Sequence, residues 1–175
     1  TVRLWQARDG QPLYTLSGHA APVYQVALSA DGELLASASE DGTARLWRVR
    51  DAAMLHTLRG HAGPVYGVAL ARAGGLVGTA SDDGLARIWR ARDGELLHVL
   101  SGHTDGVCAV AFSPDGRTLA TCSRDATVRL WRVRDGQPLR ILRGHTLSVG
   151  GLEFHPGGEL LASRSEDATV RLWRV

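Results

Sequence analysis

Five tryptophans stand at Trp5, Trp47, Trp89, Trp131 and Trp173, each 42 residues after the last. Gly-His pairs keep the same interval (Gly18/His19, Gly60/His61, Gly102/His103, Gly144/His145), and so do Asp41, Asp83, Asp125 and Asp167. Composition cannot lock three residue types to one period. The chain is a tandem array, built from one supersecondary unit that buries its apolar surface by stacking on neighbours.

The unit that opens at Gly18 shows how that stacking works. Val23–Leu28 is rich in β-branched and aromatic residues and reads as a strand. Ser29–Gly32 is a turn, Leu34–Ser39 a second strand, Glu40–Gly42 a tight turn, Thr43–Val49 a third strand and Met54–Leu58 a fourth. Short connections between four short strands imply an antiparallel meander, and no stretch has helical length and period. A lone four-stranded sheet leaves both faces wet, so such sheets stack face to face, and a radial stack is a β-propeller. Small residues at Ala36/Ala38, Gly78/Ala80 and Ala120/Cys122 suit close stacking; Ala162/Arg164 breaks that rule at Arg164.

These residues resemble the WD-repeat β-propeller family. The resemblance rests on the Gly-His pairs, on the turns Ser39/Asp41, Ser81/Asp83, Ser123/Asp125 and Ser165/Asp167, and on third strands ending in Trp. Phe112–Gly116 and the segments Thr1–Trp5 and Thr169–Trp173 also follow the family's pattern. The resemblance implies an all-β propeller of four-stranded antiparallel blades, about four in this chain, with units 18–59, 60–101, 102–143 and 144–175. Residues 1–17 supply the third and fourth strands of a preceding blade. One departure is systematic: Gln6, Arg48, Arg90, Arg132 and Arg174 follow the tryptophans where the family often has Asp.

The resemblance further implies a structural hydrogen-bond network in each blade. The sets are His19/Asp41/Ser37/Trp47, His61/Asp83/Thr79/Trp89, His103/Asp125/Thr121/Trp131 and His145/Asp167/Ser163/Trp173. Ser39 and its counterparts are alternative hydroxyl members. Ser, His and Asp together suggest a hydrolase, but a set repeated four times describes scaffold rather than a single catalytic centre. Metal ligation fails because the four His lie one per blade. His56 and His98, on the fourth strands, read as solvated or hydrogen-bonded. Gly74-Gly75 and Gly157-Gly158 are turn glycines, not a phosphate loop.

Bulk properties narrow the partners. Net charge is +2 over 175 residues, which favours neither nucleic acid nor an anionic membrane. All twenty basic residues are Arg, which reads as base-composition bias or as use of the planar guanidinium. In the turns the pairs Arg8/Asp9, Arg50/Asp51, Arg92/Asp93 and Arg134/Asp135 set each base beside an acid. There is no long apolar run, so we expect neither a transmembrane helix nor a signal peptide. Cys108 and Cys122 lie in apolar strands as free thiols, which leads us to expect a reducing, cytoplasmic setting.

The expected role is a non-catalytic protein–protein interaction scaffold, without cofactor or metal, that binds a protein or peptide. The alternative is a regulatory or sensor propeller of a larger kinase or NTPase. In the family the usual contact face carries the Gly-His loops and the turns between second and third strands. Residues that differ between blades there are the candidate contacts: Tyr24, Tyr66, Glu40, Asp82 and Arg124. The array counts seventeen strands, whereas family rings hold about seven blades. Three arrangements meet that count: a piece of a longer array, a homodimer completing a ring, or a four-bladed monomer.

Overall fold

A computed structural model describes residues 1–175, and every regular element is a strand. A two-stranded sheet comes first, β1 (Val2–Trp5) and β2 (Pro12–Leu16). Three four-stranded sheets follow. They are β3 (Val23–Leu28), β4 (Leu34–Ser39), β5 (Ala44–Arg48) and β6 (Ala53–Leu58); β7 (Val65–Leu70), β8 (Leu76–Ser81), β9 (Ala86–Arg90) and β10 (Leu96–Leu100); and β11 (Val107–Phe112), β12 (Thr118–Ser123), β13 (Val128–Arg132) and β14 (Pro138–Leu142). The last sheet has three strands, β15 (Val149–Phe154), β16 (Leu160–Ser165) and β17 (Val170–Arg174). Each sheet is an antiparallel meander in chain order. The first strands β3, β7, β11 and β15 pack in succession along the inner side, and fourth strands lie outermost.

Strand alternation divides each sheet into a forward and a back face. The first four-stranded sheet sends Ala36, Ala38, Ala44 and Leu46 forward onto Val65, Val68, Val77 and Trp89 of the next. Two further cores repeat the scheme, the last setting Ala120, Cys122, Val128 and Leu130 against Val149, Phe154 and Leu161. The β1–β2 pair covers Leu35 and Trp47 with Val2 and Leu16. Small forward residues let the backbones come close: a Cβ on Gly67 would sit 3.1 Å from that of Ala80 and 3.0 Å from the Cα of Ala109. Trp47, Trp89 and Trp131 are buried to 2% exposure or less, and each contributes about 2–3 kcal/mol of apolar burial.

The fourth sheet differs. Its forward face carries Glu153 and Arg164 where the earlier sheets have Ala27, Ala69 and Ala111, and Ala38, Ala80 and Cys122. Gly150 and Gly151 leave room for the Arg164 guanidinium, which any side chain there would strike. Strand β17 pairs with β16 alone, and β2 with β1 alone. The fourth sheet is therefore not completed by β2 within this chain.

At the opposite end of the blades from the Gly-His segments, the Arg that follows Trp47, Trp89 and Trp131 meets a turn acid. Arg48 pairs with Asp51, Arg90 with Asp93 and Arg132 with Asp135, at 2.9–3.1 Å. Adjacent pairing holds for Arg8–Asp9, Arg92–Asp93 and Arg134–Asp135. In the first four-stranded sheet Asp51 is held by Arg48 alone, whose Nε reaches both carboxylate oxygens.

Candidate interaction surface

Beneath the Gly-His end of every blade lies a polar relay. Trp131 Nε1–H donates to Thr121 Oγ1 at 2.9 Å, Thr121 Oγ1 meets His103 Nε2 at 2.8 Å, and His103 Nδ1 meets Asp125 at 2.8 Å. Only one proton arrangement satisfies all four groups. The indole donates to the hydroxyl, the hydroxyl to Nε2, and Nδ1–H to the carboxylate, so the imidazole is neutral. The other blades repeat the relay through Ser37, Thr79 and Ser163. The alternative hydroxyls sit elsewhere: Ser39 donates to Pro22 O and accepts from Asp41 N–H, and Ser81, Ser123 and Ser165 brace their turns likewise. Ser37, Thr79 and Thr121 are fully buried. Each hydroxyl is held between an indole and an imidazole, so the relay braces the blade.

Burial disfavours the charged form at both ends of the relay, with opposite results. It lowers His19 and His103, and takes His61, with help from Arg87, down to about 4. Burial also opposes ionisation of Asp125, but hydrogen bonds from Thr127, His103 and the Thr104 N–H outweigh it and hold the group at about 2. In Asp41 the same contest ends well below the usual carboxylate range. Asp167 is held equally low, first by the Thr169 hydroxyl.

Sequence reasoning missed that threonine. Thr43, Thr127 and Thr169 each donate to their Asp at 2.6 Å. The second full blade has Leu85 in that place, and there Arg87 turns inward to pair with Asp83 at 2.9 Å, against His61. Elsewhere the equivalent arginine lies over the glycine of the Gly-His pair, where a Cβ would collide with Arg45, Arg129 or Arg171; Gly60 meets no arginine. The missing hydroxyl and the inserted guanidinium are one change.

Above the relay, the structure brings the five blade-specific residues together. A bulge interrupts the pairing of each first strand with the second, between Val23 and Gln25 and between Val65 and Gly67. It leaves Tyr24 and Tyr66 unpaired and re-aims their side chains to the inner mouth of the array. Their ring centroids are 5.3 Å apart. The Arg124 guanidinium lies 5.2 Å from the Tyr66 ring centre, donating to Tyr66 Oη at 3.0 Å and to Asp82 at 2.5 Å. The Tyr66 hydroxyl also meets Asp82 at 3.3 Å. Lost hydration and the neighbouring Glu40 carboxylate both raise the Tyr24 phenol above its ordinary pKa. Tyr24, Glu40, Asp82 and Arg124 are all exposed. The tyrosines open onto a groove of about 520 Å³ that runs past Cys108 to Arg164. Both cysteines are free: Cys122 is fully buried and Cys108 half-buried.

Successive four-stranded meanders stacked on a common inner row, each braced by a Trp-hydroxyl-His-Asp relay, define a β-propeller array of about four blades. The chain belongs to the WD domain, G-beta repeat family, whose model matches residues 10–48, 53–90, 94–132 and 136–174. Comparison with curated proteins gives no match. Domains of this family generally mediate protein–protein interaction, bind proteins or peptides, and are typically non-catalytic.

Proposed function

We propose that this chain is an interaction scaffold that holds a protein or peptide partner at the Gly-His end, on the surface formed by Tyr24, Glu40, Tyr66, Asp82 and Arg124. One observation carries the reading. The framework repeats from blade to blade, whereas exposed residues free to differ converge on one patch of two tyrosines, an arginine and two acids. Tyrosine and arginine dominate interface hot spots because they combine large contact area with directed hydrogen bonds. The buried relay below fixes the turns that present them, so a partner meets a preformed surface.

The test compares partner recovery by the unaltered chain and by the Tyr24→Ala/Tyr66→Ala variant. Loss of a recovered partner, with thermal unfolding unchanged, is the expected result. Undiminished recovery by the double variant rejects this surface as the contact face.

A further inference from the structure

The Arg124 clasp contains its own template. Moved back by 42 residues, its parts Tyr66, Asp82 and Arg124 become Tyr24, Glu40 and Asp82. The aromatic ring and the carboxylate are therefore repeated one blade earlier, while the cation is replaced by an acid. Tyr24 stands on the same bulge as Tyr66, and Glu40 stands beside its phenol as Asp82 stands beside that of Tyr66. The corner holds the receiving half of a guanidinium site twice over, and only the second copy is filled from within the chain.

We propose that the Tyr24–Glu40 corner binds a cationic side chain, an arginine, of a partner peptide, as Tyr66 and Asp82 hold Arg124; this rests on the contact-face reading above. Three features favour arginine. A carboxylate and a phenol oxygen side by side match two N–H groups of a planar fork, which is how Arg124 divides its bonds between Asp82 and Tyr66. The tyrosine ring adds attraction for a guanidinium at its face. Glu40 forms no ion pair within the chain, whereas Asp82 is already engaged by Arg124. The direction of approach also differs. Gly106 makes room for the internal clasp, since a Cβ there would lie 3.0 Å from Asp82 Oδ1 and 3.2 Å from Arg124 Nη1. Pro64 stands in the equivalent place of the open corner. It carries a side chain on the side that Gly106 leaves clear, so the proposed arginine is placed to enter from solvent.

The test is a titration of the full chain, followed by amide chemical shifts, with a flexible heptapeptide carrying one central arginine. The same peptide with citrulline, an uncharged isostere, is the comparison. Expected are shifts centred on Tyr24 and the Glu40–Gly42 turn. The arginine peptide should bind at least about tenfold tighter than the citrulline peptide, and Glu40→Gln should weaken it about tenfold. Tyr24→Phe, which removes only the hydroxyl, should weaken it less. Equal binding of the two peptides, abolished by Tyr24→Ala, overturns the cation site but leaves the contact face standing. Shifts centred away from the patch count against both readings. The absence of any shift, or arginine binding indifferent to Glu40→Gln, overturns the cation site.

Discussion

Replacing Thr121 with valine tests the relay at its centre. Valine keeps the shape of threonine but lacks the hydroxyl that accepts from Trp131 Nε1 and donates to His103 Nε2. Both partners are buried: Trp131 is 1% exposed and the His103 side chain equally so. Each unpaired group costs about 1–3 kcal/mol. The hydroxyl's own burial, no longer needed, returns about 1–2 kcal/mol. The net loss is about 1–4 kcal/mol. Ser123→Ala in the same blade is the control. Ser123 is just as buried but braces a turn, bonding to Asp105 O and Asp125 N–H, each at 3.0 Å. Water reaches that turn, so the loss there should be about 1 kcal/mol. Urea unfolding at constant m-value reads both. If Thr121→Val costs under about 1 kcal/mol, or no more than Ser123→Ala, the relay is not what secures the blade.

Ala126 sits at φ 64° in the turn where the first two full blades have Gly42 and Gly84 at φ 77° and 78°, so Ala126→Gly should stabilise by about 1 kcal/mol in urea unfolding. Arg87→Ala leaves Asp83 buried without its guanidinium and should cost about 2 kcal/mol more than Arg129→Ala, whose Nε has no partner; equal losses would show that Arg87 is merely accommodated. His61 is held neutral in the fold at about 4, against an ordinary 6.5. Between those values the unfolded chain binds the extra proton, so stability falls as pH drops from about 6.5 to 4. The Asp83 carboxylate, at about 2 against 3.8, carries the decline further. Chemical unfolding at a series of pH values should show the upper part of this slope flattened by His61→Asn.

Periodicity made most of the architecture legible. Patterning over Val23–Leu28 and Leu34–Ser39 matches β3 and β4 residue for residue, because the turn signals Ser29–Gly32 and Glu40–Gly42 bound their apolar runs. The relay was legible down to its hydroxyl member Ser37; Ser39, two residues on along the same face, was the alternative, and the structure separates them because Trp47 Nε1–H donates to Ser37 Oγ while Ser39 bonds to its turn. Thr43 escaped notice because Leu85 breaks its repetition, yet that break was itself the signal leading to Arg87. The bulge at Tyr24 left no mark in the sequence. It is a register shift of the backbone, and no residue type is required there, as Tyr24, Tyr66, Cys108 and Gly150 show. The five contact candidates could be chosen from their variation between blades. That Arg124 reaches back across a blade boundary to Asp82 depends on side-chain direction, which spacing does not encode.

The even 42-residue phasing has a genetic consequence. Tandem repeats of one length invite unequal exchange, which adds or removes whole units without disturbing any relay. Loss of residues 60–101 would bring Arg124 into the clasp position for Tyr24 and Glu40, closing the open corner from within. Duplication of the same unit would create a second open corner instead, because the copied Tyr66 and Asp82 would then face another aspartate. Copy number alone thus switches the surface between sealed and receptive states, with no point mutation and no change of fold.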